Sequence, residues 1–98
     1  MTRSVSLRDV AENDLARARD WYDKQRPGLG DELLSVVAEC LLSLESTPEL
    51  HPIYYRGFRR VLTRRFPYKL FFRIEGEAVV VFRILHASRD HTRQLGER

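Results

Sequence analysis

Tyr68, Lys69, His86 and Arg89 are the residues of this chain whose types could together cut a phosphodiester without a metal ion. Metal-free cleavage of RNA needs a base for the 2′-hydroxyl proton, an acid for the leaving oxygen, and cations to hold charge on the phosphorane. His86 closes the apolar run "AVVVFRIL" and Arg89 follows it, so both can reach the end of one strand. The blander reading of His86 is a ring that ties a strand end to a backbone carbonyl. His51 and His91 stand in polar, turn-like contexts and read as surface residues. A metal centre has little support, because the acids of the basic half, Glu75, Glu77, Asp90 and Glu97, are scattered. There is no H-x-x-x-H, no cysteine pair and no G-x-x-x-x-G-K-S/T, so neither metal nor cofactor is expected. Cys40 is the single cysteine and reads as a helix core residue that cannot form an internal disulfide.

The second kind of chemistry offered is anion binding. The stretch "RRVLTRRFPYKLFFRI", residues 59 to 74, carries Arg59, Arg60, Arg64, Arg65, Lys69 and Arg73 and no carboxylate. Lysine and arginine often do no more than solvate an exposed strand. All but one of these six are arginine, whose planar fork matches phosphate or carboxylate, and no acid is interleaved to neutralise them. The whole chain is polarised in the same sense. Residues 1 to 55 hold six Lys/Arg against ten Asp/Glu, net −4, and residues 56 to 98 hold eleven against four, net +7. Such a half suits phosphates, a nucleic acid or an acidic protein.

Ninety-eight residues fit one domain, residues 1–98, with one modest core. A hydrophobic fraction of 43% and a charged fraction of 32% are those of a globular chain. No apolar run approaches the length of a membrane span, the amino terminus lacks a secretion signal, and a reducing cytoplasm is the expected location.

The elements that must position these side chains follow from periodicity. "RSVSLR" alternates Val5 and Leu7 with polar residues and predicts a short strand. Asp9 and Glu12 form a plausible capping box, and Ala11, Leu15, Ala18 and Tyr22 predict a helix from Val10 to about Gln25. "RPGLG" ends it. A second helix is predicted from Gly30 or Asp31, with Leu33, Val37, Cys40, Leu41 and Leu44 as its stripe, ending at "STPELHP". Three strands then follow: "GFRRVLT", "YKLFFRI" behind Pro67 and a turn at Arg64 to Phe66, and "AVVVFRIL" after an "EGE" hairpin. The prediction is an α+β fold in β-α-α-β-β-β order. Its antiparallel meander is covered on one face by a helical hairpin, with the first strand added at an edge. Lys69 and Arg73 would point opposite to Leu70 and Phe72, onto an uncovered face, joined by Arg59 or else Arg60, with Arg64 and Arg65 at the rim. Trp21 and Tyr22 read as core and boundary residues or as an aromatic patch for a partner. The polar tail, "HASRDHTRQLGER", has at most a helical turn.

"WY" (21, 22), "PGLG" (27 to 30), Pro48, "YRGFRRVL" (55 to 62), "RFPYKLFFRI" (65 to 74) and "VFRILHASRD" (81 to 90) occur in an order and spacing that resembles the RelE/ParE toxin superfamily of bacterial type II toxin–antitoxin systems, on its ParE-like, plasmid-stabilisation branch. The likeness covers all but the tail. It implies a curved antiparallel sheet with a helical hairpin, and a cognate antitoxin whose disordered segment folds around the toxin and neutralises it. It also implies one of two targets, since ParE-like members inhibit DNA gyrase by binding while RelE-like members cut mRNA in the ribosome. Lys69 stands where RelE-like toxins place a strand arginine, Arg89 resembles their arginine after the last strand, and His86 matches a histidine that some ribosome-dependent relatives use. Their terminal tyrosine is missing from "DHTRQLGER", which favours the ParE-like side. A chain that has lost toxicity and survives as an antitoxin-binding module is a third expectation. The antitoxin is expected to lay an amphipathic helix over the hairpin, near Trp21, Tyr22, Leu33 and Val37, and to add a strand at a sheet edge. Its acids would pair with Arg59, Arg60, Arg64 or Arg65, in a larger toxin–antitoxin oligomer.

Overall fold

Val5 and Leu7, half-buried between exposed serines, set β1 (Ser4–Leu7), and the chain turns at once into α1 (Asp9–Gln25) and α2 (Leu29–Ser46). The computed structural model describes residues 2–88 and Leu95. A short 3-10 turn (Pro48–Leu50) leads into β2 (Ile53–Tyr55), β3 (Phe58–Leu62), β4 (Tyr68–Glu75) and β5 (Ala78–His86). The strands form one sheet in the order β1-β5-β4-β3-β2. β1 runs parallel to β5 at an edge, and the other pairs are antiparallel. This is the α+β architecture expected from the sequence, with one strand more and a mixed sheet.

The extra strand, β2, is three residues long behind Pro52 and is joined to β3 by the loop Arg56–Gly57. Both loop residues have positive φ, 49° and 80°, the handedness that matches the twist of paired strands. Pro67 precedes β4, and Gly76, at φ 62°, turns β4 into β5.

The helix starts differ from the expected ones. Arg8 stands at the N-cap of α1 without a side-chain cap, and its carbonyl accepts the N–H groups of Ala11 and Glu12. Asp9 and Glu12 do not form a capping box; they lie in the first turn, where carboxylates favour the helix dipole. α2 begins at Leu29 because Gly28 takes the left-handed conformation, φ 91°. The Oδ1 of Asp23, on α1, accepts the Gly30 N–H at 2.7 Å and so caps α2 from the neighbouring helix.

The stripes of both helices lie on the sheet. Ala11, Ala18, Leu33, Val37 and Leu44 are buried with Leu70, Phe72, Val79, Val81 and Ile84. Alternation places the remaining strand residues on the second face, which is not bare. Phe58, Phe71, Leu85 and Leu95 make a buried cluster there, with Tyr54, Tyr55 and Phe82 packed around it. An irregularity in β5 produces this split. Phe71 pairs with Arg83 and Phe72 with Val81, so Phe82 is one residue in excess, and from there the alternation shifts. Val81 and Ile84 both face the helices as a result, while Phe82 and Leu85 face away.

Asp14 on α1 secures that irregularity. Its carboxylate accepts Arg83 Nε at 2.7 Å and NH2 at 3.0 Å, and the Ile84 backbone N–H at 3.0 Å. The Arg83 guanidinium is held charged by this carboxylate, which raises its pKa against the opposing effect of burial.

Candidate functional site

The arginines of residues 59 to 74 separate into two populations. Arg64 and Arg65 belong to the turn between β3 and β4 and point toward α2. Arg64 NH2 lies 2.7 Å from Glu39, and Arg65 is ion-paired with Glu32, which Arg26 also reaches at 3.5 Å. The Arg65 hydrogen bond, opposed by burial and aided by Arg26, holds the Glu32 carboxyl below the usual carboxylate range. These rim cations are therefore already matched by the domain's own acids. Arg59, paired with Phe72 and of the same parity as Val61, belongs to the helix-covered face, and its NH1 donates to the His51 carbonyl at 2.7 Å.

Arg60 and Arg73 lie on the second face, each with its guanidinium over an aromatic ring. Arg60 Cζ is 3.9 Å from the Tyr54 ring centre, and Arg73 Cζ is 4.1 Å from that of Phe58. Lys69, paired with Leu62 and Leu85, shares their face. Two further cations join them, Arg8 at 4.8 Å over Phe82 and Arg56 at 5.3 Å over Tyr55. Neither stands out in the sequence, although the Gly that follows Arg56 is the hairpin signal that locates it. None of Arg8, Arg56, Arg60, Lys69 and Arg73 has a carboxylate partner among the described residues. A guanidinium stacked on a ring keeps its N–H edge available for an oxyanion, and each contact contributes about 0.5–1 kcal/mol at an exposed site.

Arg56 is also strained, since a non-glycine residue at φ 49° belongs to the left-handed region. Its carbonyl accepts Arg73 NH2 at 2.9 Å, which links the β2–β3 hairpin to the same face. Arg56→Asn is expected to raise stability by about 0.5 kcal/mol, strain relief exceeding the lost ring contact. Urea denaturation of the two proteins measures it.

The proton-transfer candidates are divided between faces. Tyr68 faces the helices, where its ring is 6.2 Å from Tyr22 and 5.4 Å from its cross-strand partner His86. Lys69, the next residue, faces the other way. Arg89, His91 and the rest of the tail apart from Leu95 lie outside the described residues. His86 Nδ1 accepts the Ser88 backbone N–H at 3.2 Å and lies 2.8 Å from the Ser88 Oγ, which ties the ring to the chain just after β5. Tyr68, His86, Ser88, Trp21 and Tyr22 line a cleft of about 440 Å³. Trp21 is 56% exposed there, its ring 4.9 Å from that of Tyr22. Burial raises the pKa of the Tyr22 phenol. Leu33 and Val37, expected at the antitoxin surface, are 0% and 1% exposed against the sheet. They are core residues, and only the exposed face of the hairpin is open to a partner.

The family profile for the ParE toxin of the type II toxin–antitoxin system, parDE, matches residues 5–91. The chain belongs to the ParE toxin family. The family is that of the toxin component of type II toxin–antitoxin systems. Its fold is similar to that in the chromosomal ParDE system of P. aeruginosa, with a TM-score of 0.80 and 21% identity over 89% of this chain and 98% of that one. It is also similar to the RelBE2 toxin–antitoxin complex of Mycobacterium tuberculosis, with a TM-score of 0.65 and 24% identity over 88% and 99%. No curated protein matches the sequence. No helix among the described residues is long and apolar enough to cross a membrane.

Proposed function

We propose that this ParE-family toxin acts by binding and inhibiting DNA gyrase, and that the second face of its sheet makes the contact. The observation that carries a binding mode over a cleaving one is the division at β4. Tyr68 and His86 share one face and Lys69 the other, so among the described residues the groups required for phosphodiester cleavage are not assembled around one point. What the second face does assemble is Arg8, Arg56, Arg60, Lys69 and Arg73, set among aromatic rings. That surface suits a rigid, anionic docking site on a target. Purified toxin is expected to block gyrase supercoiling and to leave ribosome-bound mRNA intact. The double reversal Arg60→Glu with Lys69→Glu should weaken inhibition at least tenfold without loss of fold by circular dichroism. Cleaved mRNA together with normal supercoiling would overturn the reading.

One observation favours the alternative, a ribosome-dependent mRNA interferase. His86 stands edge-on to the Tyr68 ring, 5.4 Å away, and both line the same cleft, which puts two groups able to transfer protons side by side. Under that reading His86→Ala removes toxicity. Under the gyrase reading it leaves inhibition in place.

A further inference from the structure

Two costly features coincide at the β2–β3 hairpin. Arg56 is held at φ 49°, a conformation that asparagine, aspartate or glycine adopts more easily. Against the same loop, Arg73 Nε is buried with no hydrogen-bond partner among the described residues. Gly57 lies next to it, since a Cβ at residue 57 would stand 3.8 Å from that nitrogen. Backbone strain and a buried unpartnered donor each lower stability. An ordinary turn residue at 56 would remove the first and an apolar residue at 73 the second, so stability does not account for either.

Together the two arginines build a cation on a stiff mount. Arg73 Cζ stands 4.1 Å from the Phe58 ring centre and 5.4 Å from that of Phe82, and the two rings meet edge to face at 5.0 Å. Phe58 is buried and Phe82 packs on the same cluster, so this seat is part of the core. From it Arg73 NH2 donates to the Arg56 carbonyl at 2.9 Å, which fixes the turn at its strained residue. The Arg56 side chain is exposed, with its Cζ 5.3 Å from the Tyr55 ring centre. Arg60, Lys69 and Arg73 are half-buried, and Arg8, the other exposed cation of the face, follows β1 at the opposite edge of the sheet.

We infer that Arg56 grips a carboxylate of the protein target, and that Arg73 is a positioning residue that acts through Arg56 without touching the target. A long arginine side chain loses freedom on binding, and a fixed turn with a ring beneath the guanidinium removes part of that loss in advance. A protein carboxylate fits better than a nucleic-acid backbone. Tracking phosphates takes a continuous row of exposed cations, whereas here the two exposed ones stand at opposite edges with half-buried ones between them. The assignment rests on the reading of the second face as the surface that meets the target.

Arg56→Asn removes the guanidinium and supplies a residue that takes the turn readily, so the hairpin remains. It is expected to weaken binding to DNA-free gyrase, and inhibition of supercoiling, at least tenfold, while unfolding at higher urea than the native chain. Lost inhibition in a more stable protein cannot come from misfolding. Arg73→Lys keeps the charge but not the planar fork, and should weaken binding about fivefold. In the Arg56→Asn background it should add nothing, because its effect passes through Arg56. Full inhibition by Arg56→Asn or by Arg73→Lys overturns the inference, as does a multiplied loss in the double variant, which would put Arg73 itself on the target. Dependence on Arg56 only when DNA is added would move the contact to phosphate and overturn it too. If the native chain leaves supercoiling unchanged, the gyrase reading falls, and growth arrest on expression reads the same three variants: the same pattern leaves this inference standing, and undiminished arrest by Arg56→Asn overturns it. A native chain that neither inhibits gyrase nor arrests growth overturns both.

Discussion

Asp14→Ala is expected to lower the unfolding free energy by about 2–3 kcal/mol, the larger of two effects that follow from buried polar geometry. The Asp14 side chain is 10% exposed and that of Arg83 is 23% exposed. Removing one partner of a buried pair costs about 3–5 kcal/mol, because the other charge is left desolvated, and the partial exposure of Arg83 reduces that figure. The Ile84 N–H, displaced from the ladder by the irregularity at Phe82, loses its acceptor as well. For a chain of 98 residues the loss corresponds to a fall in Tm of roughly 10–20 °C. Asp14→Asn keeps an acceptor for Ile84 and should cost less than half as much. Arg83→Met in the Asp14→Ala background should recover part of the loss, since it removes the stranded charge. Denaturation of these proteins together with the single Arg83→Met variant completes a double-mutant cycle; equal stability of Asp14→Ala and the native chain would show that the irregularity holds without its carboxylate.

Gly30→Ala is expected to cost about 1–3 kcal/mol despite the better helix propensity of alanine. A Cβ at residue 30 would stand 2.6 Å from the Arg19 carbonyl oxygen and 2.8 Å from Asp23 Oδ1. The first is a backbone atom of α1, so relief requires the helices to separate. Overpacking of this kind costs about 1–3 kcal/mol, and losing the Asp23 cap adds about 1 kcal/mol. The gain from replacing a helical glycine is about 1 kcal/mol, so packing decides the sign. Asp23→Ala isolates the cap and should cost about 1 kcal/mol. A Gly30→Ala protein more stable than the native chain in urea would mean that the helices part without loss.

The helical hairpin was legible in the sequence because its apolar stripes recur at helical spacing through Ala11, Ala18, Leu33, Val37 and Leu44. The turn before β4 and the Gly76 hairpin were legible from Pro67 and "EGE". β2 was hidden for a local reason. Arginine occupies a left-handed turn position that usually signals itself by asparagine or aspartate. The placing of Lys69 opposite Leu70 followed from alternation alone, but the fate of Arg64 and Arg65 could not. Their partners Glu39 and Glu32 lie 25 and 33 residues away on α2, and only the packing of that helix brings them within reach. The second face carries a buried cluster because Phe71 shares the parity of Lys69, and so the arginines lie on rings rather than on a bare sheet.

The parallel pairing of Ser4–Leu7 with Ala78–Val81 has a consequence for how the molecule comes into being. β1 leaves the ribosome before any other element, yet the strand that shelters Val5 and Leu7 is made last. α1 packs on that same late strand through Asp14, so it too waits for a docking surface. Such distant pairing is slow to form, and the sheet cannot close before β5 has been made. Until β5 has emerged, the sheet face that carries Arg60, Lys69 and Arg73 cannot be assembled.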